Sequence, residues 1–474
     1  MSNSNTKKNN IWLILIATCL FTFMSTLDGS IVNIAMPMIS KNLKIDMSQA
    51  EWIVSLYMLT ICCLLIFWGK ISDIIGKVKI FKIGTFIFVI GSLLCGISSS
   101  IELLLISRII QAIGASMTMA TNYGIITENF PPNMRGKSLG ILGSFVSLGS
   151  IAGPGIGGII LQRFSWHYIF LINIPVGAFA IILGYFVFPK SKRKDITLNL
   201  DFIGFILFAI SIVSLFMGIF IGQVTGFNTF LVITLFILFI IGMALFIYRE
   251  KNTSHPLIDL NIFKSIPFSI GLLCAVLIFS SNLFINTLMP FYLQDALKLS
   301  PLLSGVILMC VPIAMIIVAP ISGALSDKMG SEGLTFIGLF IVCISQILLI
   351  FIGLNTQIYV LIGINLLTGI GVALFQSPNN SIVMSSVEAK YLGIAGSMNS
   401  LARNLGMVIG LSLSTTILYN AMSIKAGYKV TGYIVGEDNL FLYGMHIAFL
   451  VSFLLCFIAF LITGFRLFKK RKSK

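Results

Sequence analysis

Charge is what this chain has least of. Charged residues make up only 10% of its 474 positions and hydrophobic residues 57%, against about 25% charged and about 45–50% apolar in soluble domains. No soluble fold hides that much apolar surface. Histidine occurs three times, and the eight cysteines all lie inside apolar stretches, with neither metal-ligand spacing nor paired loop positions. They are packing residues, so a metal site and a disulfide scaffold are both excluded. Nucleophile–base pairings and phosphate loops are lacking too: the glycine-rich run GPGIGG at 153–158 has no following Lys and lies within an apolar segment. An enzyme is therefore not expected, and neither is a cofactor.

What the chain does have is long apolar runs separated by short polar breaks, each near the roughly 20 residues a helix needs to cross a bilayer. We count fourteen, beginning with 11–35, 49–69, 80–98, 101–125, 137–160 and 166–188, continuing with 201–222 and 227–248, and ending with 393–418 and 441–465. The fold class is an all-α membrane protein. The run after Lys7 and Lys8 continues through Asp28 to Pro37 with no small-residue cleavage site, so it reads as an uncleaved first span. With both termini in the cytoplasm, 23 of the 31 Lys and Arg residues fall on the inner side, six fall outside, and two, Arg108 and Arg403, lie within spans. The net charge of +15 is thus a topology signal of the positive-inside kind. It gives no reason to expect nucleic acid as a partner. A multi-pass protein of the cell membrane is expected, a monomer whose basic tail favours anionic lipid.

The chain also repeats itself. At an offset of 253, Gly140, Gly143, Ser144, Ser147, Gly153 and Gly157 meet Gly393, Gly396, Ser397, Ser400, Gly406 and Gly410, and Asn33 and Pro37 meet Asn286 and Pro290. At 254, Gly69, Asp73 and Gly76 meet Gly323, Asp327 and Gly330. A shift of eight spans implies six helices per half plus two inserted between them. The expected organisation is a cytoplasmic N-terminus (1–10), an N-terminal six-helix bundle (11–190), two linker helices (200–250), a C-terminal six-helix bundle (262–466) and a basic tail (467–474).

Four motifs stand on this frame. LDGSIVNIAMP, from Leu27 to Pro37, puts a carboxylate, Asp28, inside a span, where it costs about 2.5–3.5 kcal/mol and so reads as functional. GKISDIIGKVK, from Gly69 to Lys79, is a loop between spans containing Gly69, Asp73, Gly76 and Lys77. ISRIIQAIGAS places Arg108 in the fourth span as a candidate counter-charge to Asp28. GSIAGPGIGG, from Gly149 to Gly158, sets Gly149, Gly153 and Gly157 at i, i+4 and i+8, a smooth stripe for close helix approach, with Pro154 and Gly158 beside it.

Together these motifs resemble those of the major facilitator superfamily, and within it the fourteen-helix drug:proton antiporters. The resemblance implies that Asp28 is a proton or substrate-cation site, that Asp73 with its neighbours forms a cytoplasmic latch, and that the Gly149–Gly158 motif marks an exporter. This chain departs from the family pattern at Ile74, where Arg is usual, and at Ala112, where Gly is usual. In the second half Ser281 falls opposite Asp28, and Asn365 opposite Arg108. Arg403, near mid-membrane, is expected to face the central cavity.

The resulting expectation is a secondary active antiporter, driven by a proton gradient, that exports lipophilic and cationic drugs by alternating access. An exporter of one metabolite, lipid or fatty acid in the same fold is the alternative. A non-transporting scaffold is a second, and it leaves the cost of Asp28 unexplained.

Overall fold

A computed structural model describes the backbone of residues 2–188, 200–430 and 432–472. Side chains at 2–10, 47–48, 154, 224, 301 and 469–472 are outside that description. The expectations for the N-terminal segment, for Pro154 as a bending side chain and for most of the basic tail fall there, although residue 154 itself is helical.

Among the described residues fourteen helical segments are long and apolar enough to cross a membrane. The first half comprises α1 (Ser2–Leu43), α2 (Met47–Ile75), α3 (Lys77–Gly96), α4 (Ile101–Asn129), α5 (Arg135–Arg163), the short α6 (Tyr168–Leu171) and α7 (Asn173–Val187). The inserted pair is α8 (Phe202–Thr225) and α9 (Phe230–Asn252). The second half runs through α10 (Ile266–Phe291), α11 (Pro301–Met329), α12 (Ser331–Ile350), α13 (Ile358–Ser385), α14 (Leu392–Ala426) and α15 (Asp438–Lys472). The first helix extends eight residues past the expected end at 35, running through Pro37 to Leu43. The sixth span runs through Ile172, which keeps helical backbone angles between α6 and α7, and Asn173 beside it is buried in the bundle.

Helix ends follow local chemistry. Ser100 accepts from Leu103 N–H at the start of α4, Asp201 accepts from Gly204 N–H at the start of α8, and Ser300 accepts from Leu303 N–H at the start of α11. Between α2 and α3 the chain turns at Gly76 with φ +107°, and between α11 and α12 it turns at Gly330 with φ +89°. Both angles lie in the region that side chains avoid, so these repeat-related glycines make the two tight turns possible.

Helix α8 lies along α2, with Phe205 4.6 Å from Phe67 and Phe220 6.4 Å from Trp52. Asp201 pairs with Arg249 at 2.9 Å, joining the two inserted helices at their base. The inserted pair is therefore packed on α2 at the side of the first bundle, and Gln223 of α8 also reaches Thr415 of α14 in the second.

The two halves meet chiefly through α5 against α11 and through α14 against α2 and α4. Both seams begin at the face carrying the turns at 76, 130–134, 330 and 386–391, which we call the basic face. Gly136 and Gly140 sit against the backbone of Gly323 and Ala319, and Ser144 Oγ donates to Ile316 O at 2.8 Å. Gly393 and Ser397 sit against Gly69, and Ser400 Oγ donates to Met119 O at 3.0 Å. Farther along, each helix turns to its own half. Gly149, Gly153 and Gly157 pack on α1 at Phe23, Ser30 and Ile31, while Gly406 and Gly410 pack on α10 at Val276 and Ser280. The bundles are thus joined over the basic half of the membrane depth, and α5 and α14 change partners midway.

Candidate functional site

Asp28 and Arg108 are both completely buried, and Arg108 Nη1 lies 2.7 Å from Asp28 Oδ2. Helix α1 brings the acid and α4 brings the base, 80 residues apart in sequence. The other carboxylate oxygen, Asp28 Oδ1, accepts from Gln111 Nε2 and from Asn173 Nδ2, each at 2.8 Å. Gln111 is one helical turn after Arg108, receives its Nη1 at 2.5 Å, and donates to Ser92 Oγ at 2.8 Å. Arg108 Nε donates to the carbonyl of Ile53 at 3.0 Å, and the guanidinium stacks on Tyr57 with its carbon 4.0 Å from the ring centre. Gly91 lets this cluster close: a Cβ there would stand 2.5 Å from the backbone of Gln111.

A carboxylate with both oxygens held inside the first bundle is not open to a substrate cation in this conformation. Loss of the Asp28 charge would leave a buried guanidinium without its partner, and an uncompensated buried charge is costly enough to force a rearrangement. Two atoms of the cluster, Arg108 Nη2 and Asn173 Oδ1, already lack a hydrogen-bond partner among the described residues, so the network is not saturated. Gln111, Asn173, Tyr57 and Ser92 were not singled out from the sequence. Carboxamides within apolar runs are the signal that marks Gln111 and Asn173 in retrospect.

At the basic face Asp73 accepts from Gly393 N–H at 2.7 Å and from Ile394 N–H at 3.0 Å, the first free donors of α14. A carboxylate at a helix N-terminus is favoured by both the unsatisfied N–H groups and the helix dipole. Lys77 lies 2.9 Å from Asp73 and 2.7 Å from Glu128, with its side chain buried. Gly69 permits the approach, since a Cβ there would overlap Ser397. The repeat-related Asp327 does the same for α5, accepting from Gly136 N–H at 2.7 Å and Lys137 N–H at 2.9 Å. Each half thus caps a helix of the other. Ile74, where the family pattern has Arg, lines a cavity of about 160 Å³ with Lys70, Asp73, Asp259, Lys390 and Tyr391. Asp259, in the connector from the inserted helices, accepts from Tyr391 Oη at 2.6 Å. That hydroxyl, with the N–H of Asn261, holds its carboxyl below the usual range.

Of the α5 motif, Gly149, Gly153 and Gly157 face α1, where Ser30 Oγ also donates to Gly149 O at 3.0 Å. Gly158 meets nothing within 4 Å and takes no part in that contact. Arg403 is not joined to Asp28. It is half-buried on α14, one turn beyond Ser400, and its Nε has no hydrogen-bond partner among the described residues. In the second half Ser281 occupies the place of Asp28. It shares a 2.7 Å hydrogen bond with Ser452, which donates to Gln346 Oε1 at 3.0 Å, a neutral network. Asn365 only donates to Leu361 O in its own helix.

The family model described as Major Facilitator Superfamily matches residues 18–249 and 200–411. Riboflavin transporter RibZ of Clostridioides difficile is 35% identical over 98% of this chain and 99% of its own length. Multidrug resistance protein 3 of Bacillus subtilis is 29% identical over 91% of this chain and 84% of its own, and multidrug export protein EmrB of Haemophilus influenzae is 27% identical over 87% and 81%. The crystal structure of the human organic anion transporter MFSD10 shares the fold, with a TM-score of 0.63 at 14% identity over 96% of this chain and 98% of that one. With fourteen helices long and apolar enough to span a membrane, two six-helix bundles and an inserted pair, this chain belongs to the major facilitator superfamily and is a membrane transporter, not an enzyme.

Proposed function

We propose that the protein is a proton-coupled exporter that works by alternating access. The observation that carries this reading is the buried Asp28–Arg108 pair, whose carboxylate is held within one bundle at 2.7 Å from its counter-charge. With the Lys/Arg-rich face in the cytoplasm, the conformation described is closed on the inside by the two Asp-to-helix latches, Asp73 on α14 and Asp327 on α5. A proton arriving from outside neutralises Asp28 and frees Arg108. The altered packing of α1 against the glycine stripe of α5 then rocks the bundles and breaks the latches. Release of the proton inside restores the pair and resets the cycle. One proton falling through about 100 mV and about one pH unit supplies roughly 2.3 plus 1.4 kcal/mol, enough for a several-hundred-fold substrate gradient.

Organic compounds foreign or toxic to the cell are the substrates this reading favours, in keeping with drug exporters at 27–29% identity. A second reading, transport of a single vitamin-like metabolite, is favoured by the higher identity, 35%, to a riboflavin transporter over nearly the full length of both chains. The test is proteoliposomes with an internal pH dye, native protein beside Asp28→Asn, challenged with lipophilic cations, organic anions and riboflavin. Substrate-triggered proton movement that Asp28→Asn abolishes supports coupled export. Transport of a compound without any proton movement would remove the coupling role of Asp28, and movement with riboflavin alone would select the second reading.

A further inference from the structure

The charge available to a substrate between the bundles is positive. Of the sixteen Asp and Glu residues, Asp28 alone lies deep within a span, and it is completely buried with both oxygens engaged inside the first bundle. The remaining described acids are at helix ends or in connecting segments. Those nearest the seams, Asp73, Asp327 and Glu128, are occupied by helix N–H groups or Lys77. Among the described residues no free carboxylate remains at mid-depth to receive a cation.

Arg403 sits about 17 Å along α14 from its start, by the 1.5 Å rise per residue. Its position on the helix surface is fixed by its neighbours. Gly396 and Ser400 on one flank meet α4 at Ala120 and Met119, whereas Gly406 and Gly410 on the other meet α10 at Val276 and Ser280. At 100° per residue Arg403 projects between those two flanks, so its exposed part borders the space between the halves, above their line of contact, and does not face lipid. The guanidinium has neither an ion pair nor a hydrogen bond among the described residues, and its Nε is buried without a partner. An ionised side chain kept at that depth without a counter-charge calls for one that arrives. The two neighbouring helices carry uncharged amides with unpartnered oxygens: Asn122 of α4, which donates to Thr22, and Asn282 of α10.

We propose that Arg403 is a substrate-binding residue and that the substrates are organic anions, their acidic group received by the Arg403 guanidinium. This rests on the transporter reading above and departs from the cationic substrates that the family resemblance implies. With charges about 8 Å apart at an effective dielectric of about 20, the fixed guanidinium favours a monoanion and disfavours a monocation by on the order of 30-fold each.

The test is equilibrium binding to the purified full-length protein in detergent, read by fluorescence polarisation with two three-ring dyes of similar size, anionic fluorescein and cationic rhodamine 6G. Native protein is expected to bind fluorescein at least tenfold more tightly than rhodamine 6G. Arg403→Gln removes that preference, Arg403→Lys keeps fluorescein affinity within about fivefold because the charge is retained, and Arg403→Glu reverses the preference, which a misfolded protein cannot do. Rhodamine 6G binding to native protein as tightly as fluorescein, no fluorescein binding, or fluorescein affinity indifferent to Arg403→Gln would each overturn the proposal. Binding needs no proton gradient, so failure here leaves coupled export to be decided by the proton-flux measurement.

Discussion

The two bundles share one plan and carry different chemistry. At the matching point of the repeat the first bundle holds a buried ion pair, Asp28 with Arg108, and the second holds hydroxyls and a carboxamide, Ser281, Ser452 and Gln346. Their latches, by contrast, are nearly the same: Asp73 and Asp327 each accept two backbone N–H groups at the start of a helix in the opposite half. Mechanical parts are duplicated because both halves must close the same face. The buried ion pair is present in one copy, and in the proposed cycle one coupling site suffices to tie a proton to a conformational change.

The largest expected effect breaks this contrast at its centre. Arg108→Ala, which strands the Asp28 carboxylate, is expected to destabilise the protein by about 3–5 kcal/mol, measurable as a large fall in the thermal midpoint in detergent. Asp28→Asn removes substrate-driven proton flux and, by stranding the buried Arg108, also costs several kcal/mol, while Ser281→Ala, at the repeat-related position, leaves flux near native. If the two positions gave equal losses, the division of labour between bundles would be wrong.

The latches come next. Asp73→Asn weakens two charge-assisted hydrogen bonds and the Lys77 pair, each such hydrogen bond contributing about 1.5–3 kcal/mol. It should open the basic face more than Asp327→Asn, whose carboxylate lacks a corresponding buried lysine. A cysteine placed at Ser397, buried in the seam, should react faster with an impermeant maleimide in the Asp73 variant than in the Asp327 variant. Of the glycine seam, Gly153→Ala forces a methyl against Ser30 and should cost about 1–3 kcal/mol, and Gly410→Ala, against the backbone of Ser280, should cost a similar amount. Gly158→Ala meets open space and should be neutral in the same thermal assay.

The smallest effect concerns the strap from the inserted helices. The Asp259 carboxyl is held below its ordinary value near 3.8 by the Tyr391 hydroxyl and the Asn261 N–H. Its contribution is therefore present above that value and is lost as pH falls through the lowered one. Tyr391→Phe should cost less than about 1 kcal/mol at pH 7, and the difference from native protein should vanish below the lowered value.

Much of this was legible from residue order because membrane helices must satisfy their own backbone and so declare themselves as long apolar runs. The glycines at i, i+4 and i+8 predicted a close helix contact, although not that α1 would be the partner. Asp28 and Arg108 stood out through the cost of charge in an apolar run, whereas Gln111 and Asn173 are polar without being charged and did not. Asn173 reaches Asp28 from 145 positions away, a pairing of helix faces that no periodicity announces. The seal around Asp28, which closes it to a substrate cation, depends on those neutral donors and was equally invisible.

Residue order alone determined the number of spans, the basic face, the internal repeat and the presence of one deep acid and two deep bases, since hydropathy and charge act on each segment independently of its neighbours. Only the tertiary structure decided which base belongs to the acid, which helices the glycines join and that Arg403 stands alone. Those outcomes depend on how helix faces meet, and a shift of one residue along a helix turns a side chain by 100° from a partner to open space.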